Sequence, residues 1–104
     1  MQQKTTKDWR DTIKEYDPEM DEKLFNYIGH ILARESEIPR KYKELLLVAT
    51  SSAMRNLSSL ESHAQGALNH GATKKEIYEA ISLASLSAGV PAFIEGLKVL
   101  EQLK

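Results

Sequence analysis

The sequence predicts an all-α protein: a single domain of six helices that assembles into an oligomer. No run of residues alternates apolar and polar side chains over a useful length, and there is no Asn-Gly or Asp-Gly turn. Helix start and stop signals, in contrast, recur along the whole chain. Its 104 residues suffice for one compact domain but not for two. Apolar residues lie on several faces of these short helices, which favours burial between subunits.

We divide this domain into residues 1–37, with two helices, and residues 38–104, with four. In the first part, Asp17 is typical of an N-cap, and Pro18 suits the first position of the helix that follows. We expect that second helix to end near Arg34. Apolar residues at helical spacing mark the faces of the two helices: Trp9, Ile13 and Tyr16, then Leu24, Tyr27, Ile28 and Ile31.

The third and fourth helices begin the second part. Pro39 opens the third helix, which should reach about Met54. Ser58 and Glu61 have the spacing of a capping box, so we expect the fourth helix to begin there and to end before Gly71.

The fifth and sixth helices complete the chain. Thr73 and Glu76 form a second capping-box pattern, and the fifth helix should end at Gly89. Pro91 begins the last helix. The predicted buried faces are Ile77, Ala80, Ile81, Ala84 and Leu86 in the fifth helix, and Phe93, Ile94, Leu97 and Leu100 in the sixth.

Composition excludes several classes of function. Fourteen basic and fifteen acidic residues give a net charge of −1 and no basic patch, so a nucleic-acid partner is not expected. No apolar run approaches the roughly 20 residues that span a bilayer. The polar segment Met1–Lys7 has no signal-peptide core, so we expect a cytoplasmic protein. Because the chain contains no cysteine, it has no disulfide, thiolate metal site, thiol nucleophile or dithiol redox couple of its own.

The polar residues that could carry chemistry are Glu44, Asn56, Ser59 and His63. Glu44 borders an apolar run, where a partly desolvated carboxylate is suited to proton transfer. Ser59 and His63 are one helical turn apart, and histidine exchanges protons near neutral pH. The alternatives are a solvated Glu44, a capping Ser59 and a structural His63. A metal site on His63 and His70 lacks a third ligand at suitable spacing, so no metal is predicted.

Three separated stretches resemble the carboxymuconolactone decarboxylase family, and together they reach from Ile38 to about Leu100. They are the helix-opening segment 38–49, the Ser-His signature and Gly turn in 60–80, and the Gly-x-Pro break in 88–92. The resemblance implies an all-α fold whose subunits share helices in trimers or hexamers.

The alkylhydroperoxidase D branch of this family combines a glutamate, a Cys-x-x-Cys pair and a histidine. Here Glu44 and His63 occupy the glutamate and histidine positions, whereas Asn56 and Ser59 occupy the two cysteine positions. Neither asparagine nor serine forms the thiolate that reduces a peroxide, so a thiol peroxidase is disfavoured.

The decarboxylase branch keeps the histidine without the cysteines. It implies a lyase without a cofactor, acting on a small carboxylic acid or lactone, with His63 as acid/base and Glu44 orienting it or acting as the base. Asn56 and Ser59 would line the binding site, and Arg55 or Arg34 would anchor the substrate carboxylate. Two alternatives remain: a relative that binds a small molecule or a partner without turnover, and a redox protein that borrows a thiol from another chain.

Overall fold

The structure is a computed structural model, and it describes residues 9–104. Met1–Lys7, the segment considered for a signal peptide, therefore lies outside the described residues. Within them the prediction of six helices and no strand is confirmed. The helices are α1 (Trp9–Tyr16), α2 (Pro18–Leu32), α3 (Arg40–Ala53), α4 (Leu57–Asn69), α5 (Lys74–Ala88) and α6 (Val90–Gln102). The chain divides into two compact units, one ending at Arg34 and the other spanning Glu35–Lys104.

In the first unit, α1 and α2 pack as a pair. Asp17 is the N-cap of α2, as predicted, and its side chain accepts a hydrogen bond from the Met20 amide at 3.0 Å. The Trp9 and Phe25 rings stack with their centroids 5.4 Å apart. The Arg10 guanidinium lies 3.7 Å from the centroid of the same Phe25 ring, so α1 and α2 are joined by aromatic and cation–π contacts.

In the second unit, α3 packs against α4, α5 and α6. Its buried core consists of small and branched apolar side chains: Val48, Leu60, Ala64, Ala67, Ala72, Ile77, Ala80, Ile81 and Leu103. Alanine is frequent among them, which lets the helix backbones approach closely.

The connection from α3 to α4 is a three-residue turn, residues 54–56, with a defined geometry. Arg55 has φ +57°, in the left-handed region, and its amide donates to the Ser52 carbonyl. The Asn56 amide donates to the Ser51 carbonyl. These are the two hydrogen bonds of a Schellman motif, here with arginine at the position that glycine usually takes.

The predicted capping box of α4 is wrong. Asn56 is the N-cap, and its Oδ1 accepts a hydrogen bond from the Ser59 amide at 3.2 Å. The Asn56 amide is hydrogen-bonded to the Ser51 carbonyl in the turn that ends α3. Helix α4 therefore starts at Leu57, and Ser58 lies inside it. The second capping box, between Thr73 and Glu76, is present as predicted.

Helix α6 passes close to α3 and α5 at Gly96. A Cβ atom at this position would lie 2.6 Å from Cγ2 of Ile81 and 3.0 Å from Oγ of Ser52. The Ser52 hydroxyl is fully buried and has no hydrogen-bond partner among the described residues.

Two residues predicted to be buried are exposed in the single chain. Leu86 is 84% exposed and Ile94 about half exposed. Each lies two positions, or about 200° around the helix, from a buried alanine (Ala84 in α5 and Ala92 in α6), so each projects from the opposite face.

Candidate functional site

Glu44 lies on the buried face of α3. It shares this face with Val48 and Ser51, at i+4 and i+7, and only 2% of its surface is exposed. A carboxylate removed from water in this way requires hydrogen-bond donors or an opposite charge beside it.

Both carboxylate oxygens of Glu44 have a charged or ionisable partner. Nδ1 of His63, on α4, lies 2.9 Å from Oε1. Nε of Arg40, one turn earlier on α3, lies 2.8 Å from Oε2. Because a carboxylate paired with a guanidinium only accepts hydrogen bonds, Nδ1 of His63 carries the proton and donates it. One buried carboxylate therefore joins an arginine and a histidine from two helices.

Gly66 provides the space for this carboxylate. A Cβ atom at Gly66 would lie 2.8 Å from Cδ of Glu44 and within 2.9 Å of both carboxylate oxygens. Gly66 is one turn beyond His63, so the same face of α4 supplies both the hydrogen bond and the gap. Any larger residue at this position would displace the carboxylate.

The hydrogen bond to Glu44 defines what His63 can do. With Nδ1 engaged, the second ring nitrogen, Nε2, remains for a substrate, and the side chain is 26% exposed. A carboxylate at Nδ1 fixes the tautomer and the ring orientation, and it stabilises the positive charge when Nε2 takes up a proton. This arrangement can perform general acid/base catalysis.

Asn56 and Ser59 lie in the first turn of α4. Besides the Ser59 amide, Oδ1 of Asn56 accepts a weak hydrogen bond from the Ser58 hydroxyl at 3.4 Å. No hydrogen bond joins Ser59 to His63 in the part of the chain that is described, although the two are one turn apart. The capping contacts account for asparagine at position 56, whereas Ser59 contributes only its backbone amide, and a role in binding stays a prediction for both.

Arg55 is paired with Glu95 on α6. Nε of Arg55 lies 2.8 Å from Oε1 of Glu95. This hydrogen bond raises the pKa of Arg55 above its ordinary value and lowers the pKa of Glu95. Arg34, the other predicted anchor, belongs to the first unit, where its Nε donates to the His30 carbonyl at 2.7 Å.

His70 lies at the C-terminal end of α4. Its Nδ1 is 2.9 Å from the Gly66 carbonyl, a contact that satisfies a backbone acceptor at the helix end. No group of three or more histidine, aspartate or glutamate side chains within residues 9–104 could hold a metal ion.

Sequence reasoning missed Arg40 and Gly66. The signal for Arg40 was its position four residues before Glu44, the spacing at which an ion pair forms along a helix. No comparable signal marked Gly66, because its role depends on a contact between two helices.

Several grooves lie on the surface of the second unit, and two of them include residues next to Glu44 in space or in sequence. A polar groove of about 510 Å³ includes Ser62, Gln65 and Gly66 of α4 in its lining. An apolar groove of about 360 Å³ runs between α3 and α5 and includes Leu46 and Leu83. In the single chain, neither groove includes His63 or Glu44 in its lining. Gly66, however, lines the polar groove and is also in close contact with the Glu44 carboxylate.

A family model for the carboxymuconolactone decarboxylase family matches residues 18–102. The chain belongs to the carboxymuconolactone decarboxylase family. The match begins within α2, twenty residues before the resemblance seen at Ile38. This family member also resembles the crystal structure of a "putative carboxymuconolactone decarboxylase" from Burkholderia xenovorans LB400. The TM-score is 0.80 at 26% sequence identity, over 91% of this chain and 74% of that one. No curated protein matches this chain in sequence.

Within residues 9–104 of this protein, no helix is both long enough and apolar enough to cross a lipid bilayer.

Proposed function

We propose that this protein catalyses acid/base chemistry on a small carboxylic acid or lactone, with His63 as the proton-transferring residue. The observation that carries the proposal is the 2.9 Å hydrogen bond from His63 to the buried Glu44 carboxylate. Family membership and the named relative support a reaction of the decarboxylase type.

In this reaction His63 would supply a proton to carbon. As the bond between the substrate and its carboxylate breaks, carbon dioxide leaves and the electron pair stays on the substrate carbon, delocalised onto a conjugated lactone carbonyl. The proton on Nε2 of His63 then moves to that carbon, and water restores it. Glu44 would keep the ring in place and stabilise its positive charge beforehand.

Thiol chemistry is not part of the proposal. The chain has no cysteine, so a redox role would require a thiol from another protein. Peroxide consumption with the purified chain and a thiol reductant is therefore not expected.

The test uses a panel of lactones and unsaturated acids incubated with the protein in deuterium oxide. Carbon dioxide release and deuterium incorporation at carbon, followed by NMR, report proton transfer whichever panel member reacts. Replacing His63 by asparagine should lower the rate by about 10²–10⁴-fold, the usual contribution of a general acid or base.

His70→Asn is the matched control, because His70 is the C-cap of the same helix and bonds a backbone carbonyl. It should retain the rate of the wild type. Full activity in His63→Asn would refute the role of His63. Ligand binding by the wild type without any turnover would instead favour the non-catalytic binding protein.

A further inference from the structure

The basic side chains of the second unit differ in whether the carboxylate that they bind also holds His63. Arg55 is paired with Glu95 at 2.8 Å, and Lys41 is paired with Glu76 at 3.0 Å. Each of these pairs joins one cation to one carboxylate. Neither cation contacts the carboxylate that holds His63.

Arg40 is bound to that carboxylate but is not saturated by it. Its guanidinium has five N–H donors, and the described contact to Glu44 uses the one on Nε. His63 takes the other oxygen of Glu44, so one carboxylate cannot engage the remaining donors. The Arg40 side chain as a whole is 32% exposed, so it is not sealed from solvent as Glu44 is.

The charges around Glu44 favour an anion in the protonated form of His63 that the proposed reaction uses. Glu44 contributes one negative charge, which Arg40 balances. When His63 is protonated, the cluster of Arg40, Glu44 and His63 carries a net positive charge in a partly buried setting. A bound carboxylate would neutralise it, and the interaction would be stronger than in bulk water because of the burial.

We propose that Arg40 binds the carboxylate of the substrate, in place of the predicted anchor Arg55. The planar fork of a guanidinium matches a carboxylate in two parallel hydrogen bonds, so this residue would select acids over neutral lactones. Because Arg40 and His63 hold the same Glu44 carboxylate, the anchored group would lie beside the proton-transferring ring. The assignment rests on the proposed function, which it deepens by naming the anchor.

The test compares two probes of similar shape, γ-butyrolactone γ-carboxylate and its primary amide, of which the amide lacks the negative charge and has an NH₂ donor in place of one acceptor oxygen. Dissociation constants for both are measured by NMR titration on the full chain. The proteins are the wild type, Arg40→Gln, Arg40→Lys and the matched control Arg55→Gln. The ratio of the dissociation constant of the amide to that of the carboxylate tests the role of Arg40. A structural defect weakens the binding of both probes and leaves this ratio unchanged.

We expect a ratio of about tenfold or more in the wild type and Arg55→Gln, as a charge-assisted hydrogen bond provides. The ratio should fall to near one in Arg40→Gln and to an intermediate value in Arg40→Lys, which keeps the charge but not the fork. If Arg40→Gln does not fold, the value for Arg40→Lys decides.

Three results would overturn the assignment: a wild type that does not prefer the carboxylate, a ratio unchanged by either Arg40 substitution, or a ratio lost in Arg55→Gln. Selective carboxylate binding without carbon dioxide release or deuterium exchange would refute the proposed function and leave the assignment of Arg40 standing.

Discussion

Glu44 occupies a position at which an apolar residue would be easier to accommodate. Burying a carboxylate removes most of its hydration, and the hydrogen bonds from Arg40 and His63 restore only part of that free energy. Replacing such buried charge pairs by apolar side chains of similar volume is often neutral or stabilising. Stability alone therefore does not explain a charged group here, whereas the proposed proton transfer at His63 requires one.

The close approach of Gly66 to Glu44 gives a test at a single residue. In Gly66→Ala the new methyl group would push the Glu44 carboxylate away from His63, since the contact distance would be 2.8 Å. We expect a folded protein that has lost the His63-dependent reaction, measured by deuterium exchange.

Gly29→Ala is the control for this substitution, because no atom of the described residues lies within 4 Å of a Cβ there. Alanine should stabilise α2 at that position by about 0.5–1 kcal/mol and leave the reaction unchanged. An active Gly66→Ala variant would show that the carboxylate contact is not needed.

The unpartnered hydroxyl of Ser52 gives a second test at a single residue. Ser52→Ala removes a buried polar atom that makes no hydrogen bond, so the free energy of unfolding in urea should rise by about 1 kcal/mol. Ser85→Ala, in which a hydroxyl bonded to the Ser82 carbonyl at 2.6 Å is lost, should give no such gain. A less stable Ser52→Ala variant would mean that this hydroxyl is hydrogen-bonded in solution.

At the scale of the helices, the N-terminus of α5 makes stability depend on pH. The Thr73 amide and, to a lesser degree, Lys41 hold the pKa of Glu76 below its usual value of 4.5. A lowered pKa in the folded state means that ionised Glu76 stabilises the fold above pH 4.5, and that this contribution is lost as the pH falls through the folded-state value.

Glu76→Gln should therefore be less stable than the wild type at pH 7, and the difference should narrow as the pH falls below 4.5. Urea denaturation at several pH values measures it. Lys41→Gln removes only the ion pair and should reproduce only part of this pH dependence. A difference that stays constant with pH would contradict the assignment of the effect to the charge of Glu76.

The number and order of the helices could be predicted because the residues that start and stop each helix lie at its own ends in the sequence. Asp17 and Thr73 each cap the helix that their spacing predicted. The start of α4 was misplaced because Asn56 and Ser58 are both good caps, and the choice between them depends on how α3 ends at Arg55. That information lies in the preceding helix and not in the capping pattern.

The candidate site was predictable only in part. The chemistry of Glu44 and His63 could be proposed from residue type and from the family resemblance, but 19 positions separate them in sequence. Their contact depends on how α3 crosses α4. The ion pair of Arg40 with Glu44 could have been predicted from their spacing of four residues. The contact of Gly66 with Glu44 could not, because no sequence pattern marks it.

At the scale of the whole molecule, the second unit has large apolar side chains on its surface. Leu46 is 55% exposed and Leu83 is 64% exposed, and both line the apolar groove between α3 and α5. We propose that identical chains cover this surface in a homo-trimer or homo-hexamer, because contiguous exposed apolar surface is uncommon on monomers.

Light scattering should then give three or six times the chain mass of 11.7 kDa for the wild type. Leu83→Lys places a charge in the groove and should lower that mass. Glu101→Lys, at an exposed position of α6, should leave it unchanged. A wild type with the mass of one chain would contradict the proposal.

The short turn at Arg55 and Asn56 has a consequence for how the protein forms. Arg40, Glu44, His63 and Gly66 all belong to one continuous helical hairpin, which a three-residue turn closes. Contacts between segments so near in sequence require little loop-closure entropy and form early when a chain refolds. The arrangement around Glu44 can therefore assemble before α5 and α6 dock.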